Sequence, residues 1–330
     1  MALMLGAEAL EGVISNREAI DLLEQMSAHE ADGKTFVSPR LNTPFEGGWM
    51  RMMFAADYAS GYAATKAFHM ITGTGVRYVV SLYRLSDGEL LAVLDGRLIT
   101  DLRTGAASGV VARKMRIDDD TITVGLIGAG HQSRMQLEMM AAVFQVESAT
   151  VYSPTLDNRE RFARQMSSKL GLKVKSVDNA QSAVRGHTVV VAATSSQSAE
   201  PVLRGAWLDT CRLLSAVGST RPQSVEVDAA CFADAAAVVV DSARAGDEAG
   251  DLQQAVKSGA SSPESWITLA DVAAGTKRLP RSGLVTFKSV GTALQDLALA
   301  ARYYELLKGR KDLPAANDFA SLKKPVSLKK

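Results

Sequence analysis

The chain has 330 residues, 47% of them hydrophobic, with 37 Lys plus Arg against 36 Asp plus Glu. That length suits two domains with a sizeable core and excludes global disorder; the near-zero net charge gives no reason to expect nucleic acid or an anionic membrane as partner. The two cysteines, Cys211 and Cys231, form no C-x-x-C pair, and the four histidines lack ligand spacing, so neither a disulfide framework nor a metal site is expected.

The mildly apolar start, Met1–Val13, lacks a positively charged leader, and no apolar run reaches membrane-spanning length. A cytoplasmic location is therefore expected. Ser15 and Glu18 form a capping-box pattern, and Ala19, Leu22, Leu23 and Met26 follow at helical spacing. From Thr35 to Trp49, with Pro39, Pro44, Gly47 and Gly48, the chain reads as loop. Val79–Tyr83 and Glu89–Leu94 read as a hairpin turning at Ser86–Gly88. Thr100 reads as the cap of a helix running to about Met115, and its small residues Gly105–Gly109 imply close packing. On that reading Arg103 lies in the first helical turn, where the dipole disfavours a cation unless an anion is also present.

From Thr121 strands and helices alternate. Strands are predicted at Thr123–Ile127, Ala149–Ser153, Lys173–Ser176, Thr188–Ala192, Arg212–Val217 and Ala236–Val240, with a possible seventh at Leu284–Phe287. This is the pattern of a Rossmann-type, doubly wound parallel α/β sheet. The first strand runs into Gly128, Gly130 and Ser133 in a G-x-G-x-x-small pattern, and a helix follows from Met135 to Phe144. Gly128 permits a tight turn, Gly130 lets backbone approach a pyrophosphate, and Ser133 lets helix pack on strand. The free N–H groups of the helix start, at His131 and Gln132, face the anion. A dinucleotide-binding domain at 120–290 thus follows an α+β domain at 1–119. The helix Thr292–Leu307 and the basic tail (291–330) are expected to return to the first domain; the tail itself reads as a solvated terminus.

Several segments, taken in order, resemble the ornithine cyclodeaminase/μ-crystallin family. They are 91–96 (LAVLDG), 102–107 (LRTGAA), 127–132 (IGAGHQ), 193–196 (ATSS) with Pro201, and 216–219 (AVGS) with Pro222 and Glu226. Gly250-Asp251 and 287–291 (FKSVG) with Asp296 complete the set. The resemblance implies a homodimer whose N-terminal α+β domain binds substrate and dimerises while the Rossmann domain holds NAD(H) or NADP(H). It implies substrate-site roles for three residues: Arg40 on a substrate carboxylate, Lys66 as proton donor or acceptor, and Arg103 shared between substrate and cofactor phosphate. It further implies cofactor contacts at Thr104, Thr194, Ser195, Val217, Gly218, Lys288 and Gly291. The second-strand end, Val151–Thr155, carries no acid to hold a ribose 2′-hydroxyl, and Ser153, Thr155 and Arg159 suit a 2′-phosphate. NADP(H) is therefore favoured over NAD(H).

The family's cyclodeaminases carry an aspartate two residues after the glycine of the Ala-Val-Gly segment. Here that substrate-side position is Thr220, which cannot serve as a general base near neutral pH. The expected activity is NAD(P)H-dependent reduction of imines of small 2-oxo acids, of ketimine reductase or amino-acid dehydrogenase type. The alternatives are an ornithine or lysine cyclodeaminase with tightly bound NAD and a non-catalytic nucleotide-dependent binding protein of crystallin type. Substrate choice is expected to lie in loops at Asn42–Arg51 and Phe68–Gly75.

Overall fold

The computed structural model describes residues 1–316 except 116, 118–120, 197 and 219; the basic end of the tail lies outside these. The first sheet is built from β1 (Ala2–Leu5), β2 (Thr35–Val37), β3 (Leu41–Phe45), β4 (Gly48–Asp57), β5 (Tyr62–Ile71), β6 (Gly75–Arg84) and β7 (Leu90–Asp95). The second contains β8 (Ile122–Ile127), β9 (Val146–Tyr152), β10 (Lys173–Ser176), β11 (Val189–Ala192), β12 (Leu213–Ala216), β13 (Ala235–Val240), β14 (Ile267–Thr268) and β15 (Leu284–Lys288). A short β16 (Ala315–Ala316) pairs antiparallel with β1 and rejoins the first sheet.

The second sheet is parallel throughout, in the order β10-β9-β8-β11-β12-β15-β13-β14. The chain leaves β8 toward β9 and β10, then returns to the other side at β11. This reversal is a topological switch point, and the Gly128–Gly130 turn lies beyond it. The strands are near-continuous apolar runs; Val189, Val190, Val191 and Ala192 are all buried, as a sheet covered on both faces requires.

The first sheet differs from expectation. The segment 35–49 is not loop: it supplies β2, β3 and the start of β4, with Pro44 on the outermost strand, where no ladder donor is lost on its free side. β4, β5 and β6 form a long antiparallel meander in continuous register, from Gly48 opposite Ile71 to Asp57 opposite Tyr62. Alternation assigns Trp49, Arg51 and Met53 of β4 to one face, with Lys66 and Phe68 of β5 and Tyr78 and Val80 of β6 beside them.

The helix predicted from Thr100 begins a turn earlier. It spans Gly96–Lys114, and Asp95 caps it by accepting from the Arg97 N–H. Arg103 and Thr104 therefore lie about two turns inside, beyond reach of the terminal dipole, and the argument from the helix start does not hold for Arg103. The glycine-rich stretch does mark close packing. A Cβ on Gly105 would come within 2.8 Å of the Met135 and Met139 side chains, and one on Gly109 within 2.7 Å of Ile20. The helix His131–Val143 thus lies directly on Gly96–Lys114. Gln136 adds a bond to the Thr104 carbonyl at 3.1 Å. The helix Ala293–Leu307 packs on β4 and β5 of the first sheet. One apolar core runs through both layers, from Leu82 and Leu94 through Val110 and Leu297 to Leu126 and Phe287.

Candidate active site

Lys66 is held at the middle of β5, opposite Met53 on one side and Val80 on the other. Its ammonium donates to Asp296 Oδ1 at 2.8 Å and to Thr100 Oγ1 at 2.7 Å, and the side chain is about 1% exposed. The rings of Phe68 and Tyr78 lie 5.5 and 5.2 Å from it. Burial, reinforced by the cations of Arg103 and Arg40 and opposed by Asp296, lowers its pKa to about 8.

Asp296 comes from the helix Ala293–Leu307 and Arg103 from Gly96–Lys114. Arg103 Nε stands 3.7 Å from Asp296 Oδ1, and its Nη1 donates to Gln295 Oε1 at 3.1 Å. Two buried atoms of this cluster, Arg103 Nε and Asp296 Oδ2, have no hydrogen-bond partner among the described residues. Buried polar groups are nearly always satisfied, so two unmet atoms in one cluster are unusual. Gly291 makes the arrangement possible. Its φ is +78°, and a Cβ there would overlap the Arg103 guanidinium at 2.1 Å.

Arg40, in the link between β2 and β3, reaches the same cluster. It pairs with Glu248 at 2.8 Å and donates to the carbonyls of Val290 and Gly291 at 2.9 and 2.8 Å. It also borders a cavity of about 180 Å³ shared with Met53, Glu248 and Gly291. Asp241, buried, ties both arginines in place. It accepts from the Val290 and Gly291 N–H groups, from Ser289 Oγ and from Gln295 Nε2.

On the nucleotide side, Gly128 has φ +108°, and a Cβ there would strike the Ala193 carbonyl at 2.3 Å. Gly130 caps the helix His131–Val143 without a side-chain bond, and the space a Cβ would occupy there is open. Those uncapped N–H groups, beside a glycine with free space above it, fit a pyrophosphate. His131 is exposed, Gln132 bonds Asp101 at 2.9 Å, and Ser133 is fully buried against the Ala193 carbonyl. Thr194, Ser195, Val217 and Gly218 follow the ends of β11 and β12, and Thr220 lies just beyond them, half-buried. Thr104 spends its hydroxyl on the Thr100 carbonyl at 2.8 Å, within its own helix. Ser153 is buried and Thr155 exposed at the uncapped start of Leu156–Leu170, while Arg159 folds back on the Ser153 carbonyl at 2.9 Å.

Lys288 is placed differently from the expected cofactor contact. It is fully buried at the end of β15 and paired with Asp251. Asp251 in turn accepts from the backbone N–H of Glu226 and Val227. The Glu226 carboxylate then holds the Thr194 N–H at 2.6 Å and the Gly218 N–H at 2.8 Å. This chain of buried charge joins the ends of β11 and β12. Burial raises the Glu226 pKa, with Asp251 adding and Lys288 opposing. Glu226, Asp251 and Asp296 stood among the resemblance segments without a role. Asp241 and Glu248 had no sequence signal, because an isolated acid gives no clue to what lies across a fold.

A profile of the ornithine cyclodeaminase/mu-crystallin family matches residues 1–311. The chain belongs to this family. It is 32% identical over 315 residues to an alanine dehydrogenase of Archaeoglobus fulgidus, covering 92% of this chain and 94% of that one. It is similar to the Δ1-pyrroline-2-carboxylate reductase of Thermococcus litoralis, solved with NADH and L-proline, with a TM-score of 0.88, 30% identity and coverage of 95% and 100%. An archaeal alanine dehydrogenase dimer with bound NAD matches with a TM-score of 0.85, 29% identity and coverage of 93% and 96%.

Proposed function

We propose that the protein is an NAD(P)-dependent oxidoreductase that reduces imines of small 2-oxo acids to the corresponding amino or imino acids. The observation that carries this reading is Lys66: a fully buried ammonium, lowered to about 8 and set between Asp296 and the cations Arg103 and Arg40. A donor with that pKa suits proton transfer to an imine nitrogen near neutral pH. Relatives of this chain include a pyrroline carboxylate reductase and an alanine dehydrogenase, both of which act at a carbon–nitrogen bond next to a carboxylate.

A bound nicotinamide would supply the hydride for the imine carbon. This chain's residues do the rest. Arg103, through its unmet Nε, and Arg40 grip the substrate carboxylate and fix the imine carbon in register with the dinucleotide cleft. Lys66 Nζ gives its proton to the imine nitrogen as that nitrogen gains the carbon's former π electrons, and Asp296 and Thr100 keep the ammonium aimed. Gly128, Gly130 and the His131–Val143 helix start hold the pyrophosphate. Thr194, Ser195, Val217, Gly218 and Gly291 line the nicotinamide end, and Thr220 the substrate. Thr220 in place of a carboxylate disfavours cyclodeamination.

NADPH is preferred over NADH: Ser153, Thr155 and Arg159 surround the end of β9, and Arg159 needs only to leave a backbone carbonyl to meet a 2′-phosphate. The protein works as a homodimer in the cytoplasm. Leu41, Met52 and Val79, all exposed, lie in one register row across the outer face of β3–β6, an apolar stripe that a second copy would cover. Among the described residues no helix is long and apolar enough to cross a membrane.

The test is a panel of imines, cyclic ketimine carboxylates and mixtures of pyruvate with ammonia or methylamine, offered with NADPH and NADH. Loss of reduced-nicotinamide absorbance, one cofactor per product, is the expected result. Release of ammonia from ornithine without net cofactor change would support the cyclodeaminase instead, and tight cofactor binding with no turnover the non-catalytic alternative.

A further inference from the structure

Two cations beside the site, Arg51 and Arg221, form no ion pair among the described residues. Arg51 lies on β4 two residues before Met53, so it shares the sheet face of Met53 and of Lys66, Met53's cross-strand neighbour. It stands opposite Phe68, and Phe68 opposite Tyr78. Arg221 approaches from the other layer, in the loop that follows β12. Their guanidinium carbons sit 4.7 and 5.7 Å from the centre of the same indole, Trp49. Among the described residues neither guanidinium is in an ion pair, and the bond from Arg51 Nε to Asn42 Oδ1 at 3.0 Å is to a neutral amide. The buried Trp49 Nε1–H has no acceptor.

The electrostatics agree. Burial, then the nearby cations Arg40 and Arg221, pull the Arg51 pKa down to about 10. Like charges gathered in a half-buried place repel, and Glu248, already paired with Arg40, offsets them only in part. Two guanidiniums outside any ion pair among the described residues, with the unmet Trp49 Nε1–H between them, suit an anionic oxygen ligand. The place also has a defined reach. Two residues along a strand span about 6–7 Å, so Arg51 stands one short step from the Met53–Lys66 row where the imine nitrogen is protonated.

We propose that Arg51 and Arg221, with Trp49 between them, form a second acid-binding subsite, so that the substrate is the imine of a short 2-oxo dicarboxylic acid and the product an acidic amino acid. This rests on the imine-reductase reading and narrows its substrate class. Arg40 and Arg103 take the carboxylate next to the imine carbon; Arg51 and Arg221 take the distal one.

The experiment titrates 2-oxoglutarate, oxaloacetate and pyruvate into the full-length protein saturated with NADPH, following nicotinamide fluorescence, without amine so that no reaction occurs. A diacid is expected to bind at least ~10-fold more tightly than pyruvate, and Arg51→Met and Arg221→Met should each collapse that ratio by ~10-fold, the scale of one charge-assisted contact. Arg51→Lys should restore part of it. Equal binding of pyruvate and the diacids overturns the subsite. So does a loss confined to NADPH affinity, which would assign the arginines to a cofactor phosphate. If Arg51→Met fails to fold, the parent ratio and Arg221→Met still decide. Adding ammonia separates the two levels: turnover of the pyruvate imine without diacid preference sinks the subsite alone. Diacid-selective binding with no turnover of any imine keeps the subsite and sinks the reductase reading.

Discussion

The molecule buries two lysine–aspartate pairs, and they are built to opposite ends. Lys288–Asp251 lies inside the nucleotide layer with its neighbours satisfied: Asp251 also receives two backbone N–H groups, and Glu226 carries the chain of bonds on to Thr194 and Gly218. Lys66–Asp296 lies where the two layers meet. It keeps Asp296 Oδ2 and the adjacent Arg103 Nε without partners and crowds further cations around the lysine. The saturated pair shapes backbone; the unsaturated one is the proposed site of proton transfer. Burial alone does not tell them apart, because both lysines are about equally inaccessible. What distinguishes them is whether every donor and acceptor around the pair is already used.

The largest effect expected on this contrast is structural. Lys288→Met leaves Asp251 charged and buried without a cation, which costs roughly 3–5 kcal/mol of stability. A thermal melt or urea titration measures it. An unchanged midpoint together with weakened cofactor binding would return Lys288 to the cofactor site and erase the contrast.

Lys66→Met should act the other way. Asp296 retains Arg103 at 3.7 Å, so the fold loses less, while turnover of the best imine falls by ~10²-fold or more, as for loss of a positioned acid. Cofactor affinity should hold. A variant that melts early yet turns over normally per folded molecule makes Lys66 structural. The parent enzyme offers a milder form of this test. Lys66 donates only while protonated, so kcat for imine reduction should fall as pH rises through about 8, and oxidation of the amine product should rise there. A flat profile across that range counts against the lysine.

Next in size is the cofactor. Arg159→Ala should cost ~1–3 kcal/mol of NADPH affinity and leave NADH nearly untouched. Equal loss for both shows that Arg159 supports only its own loop.

The smallest effect lies behind the site. Burial and the nearby Asp241 raise the Glu30 pKa from 4.5 to about 7. A carboxyl whose folded pKa is raised contributes stability that is complete below its unfolded pKa and is lost as pH rises through the folded one. Glu30→Gln should therefore raise the thermal midpoint at pH 8, by roughly 2–4 °C, and change little at pH 5. A shift of the same size at both pH values would show that charge is not the cause.

The nucleotide layer was legible residue by residue. Gly128, Gly130 and Ser133 stand in a local order that states its own geometry, and runs such as Val189–Ala192 show parallel strands buried on both faces. The first layer was legible only in part: the hairpin of β6 and β7 and the helix capped by Ser15 stand as read. Thr35–Trp49 reads as loop because Pro and Gly are common there, yet β4 and β5 impose strand on it by pairing. The start at Asp95 was missed because Thr100, a good cap by type, instead bonds back to the Gly96 carbonyl inside the helix at 2.6 Å.

By itself the sequence determined the glycine turn, the alternation that builds the parallel sheet and, through resemblance, the family, and it pointed to the proposed trio of Arg40, Lys66 and Arg103. Those signals depend on neighbours in the chain or on segments kept in order. Only the tertiary structure decided that Lys66 meets Asp296, that Asp241 holds the backbone gripping Arg40, that Lys288 turns inward, and that Arg51 and Arg221 face one indole. Each of these joins residues far apart in the chain, and charges act through space: no local pattern records which partner the fold will bring within reach.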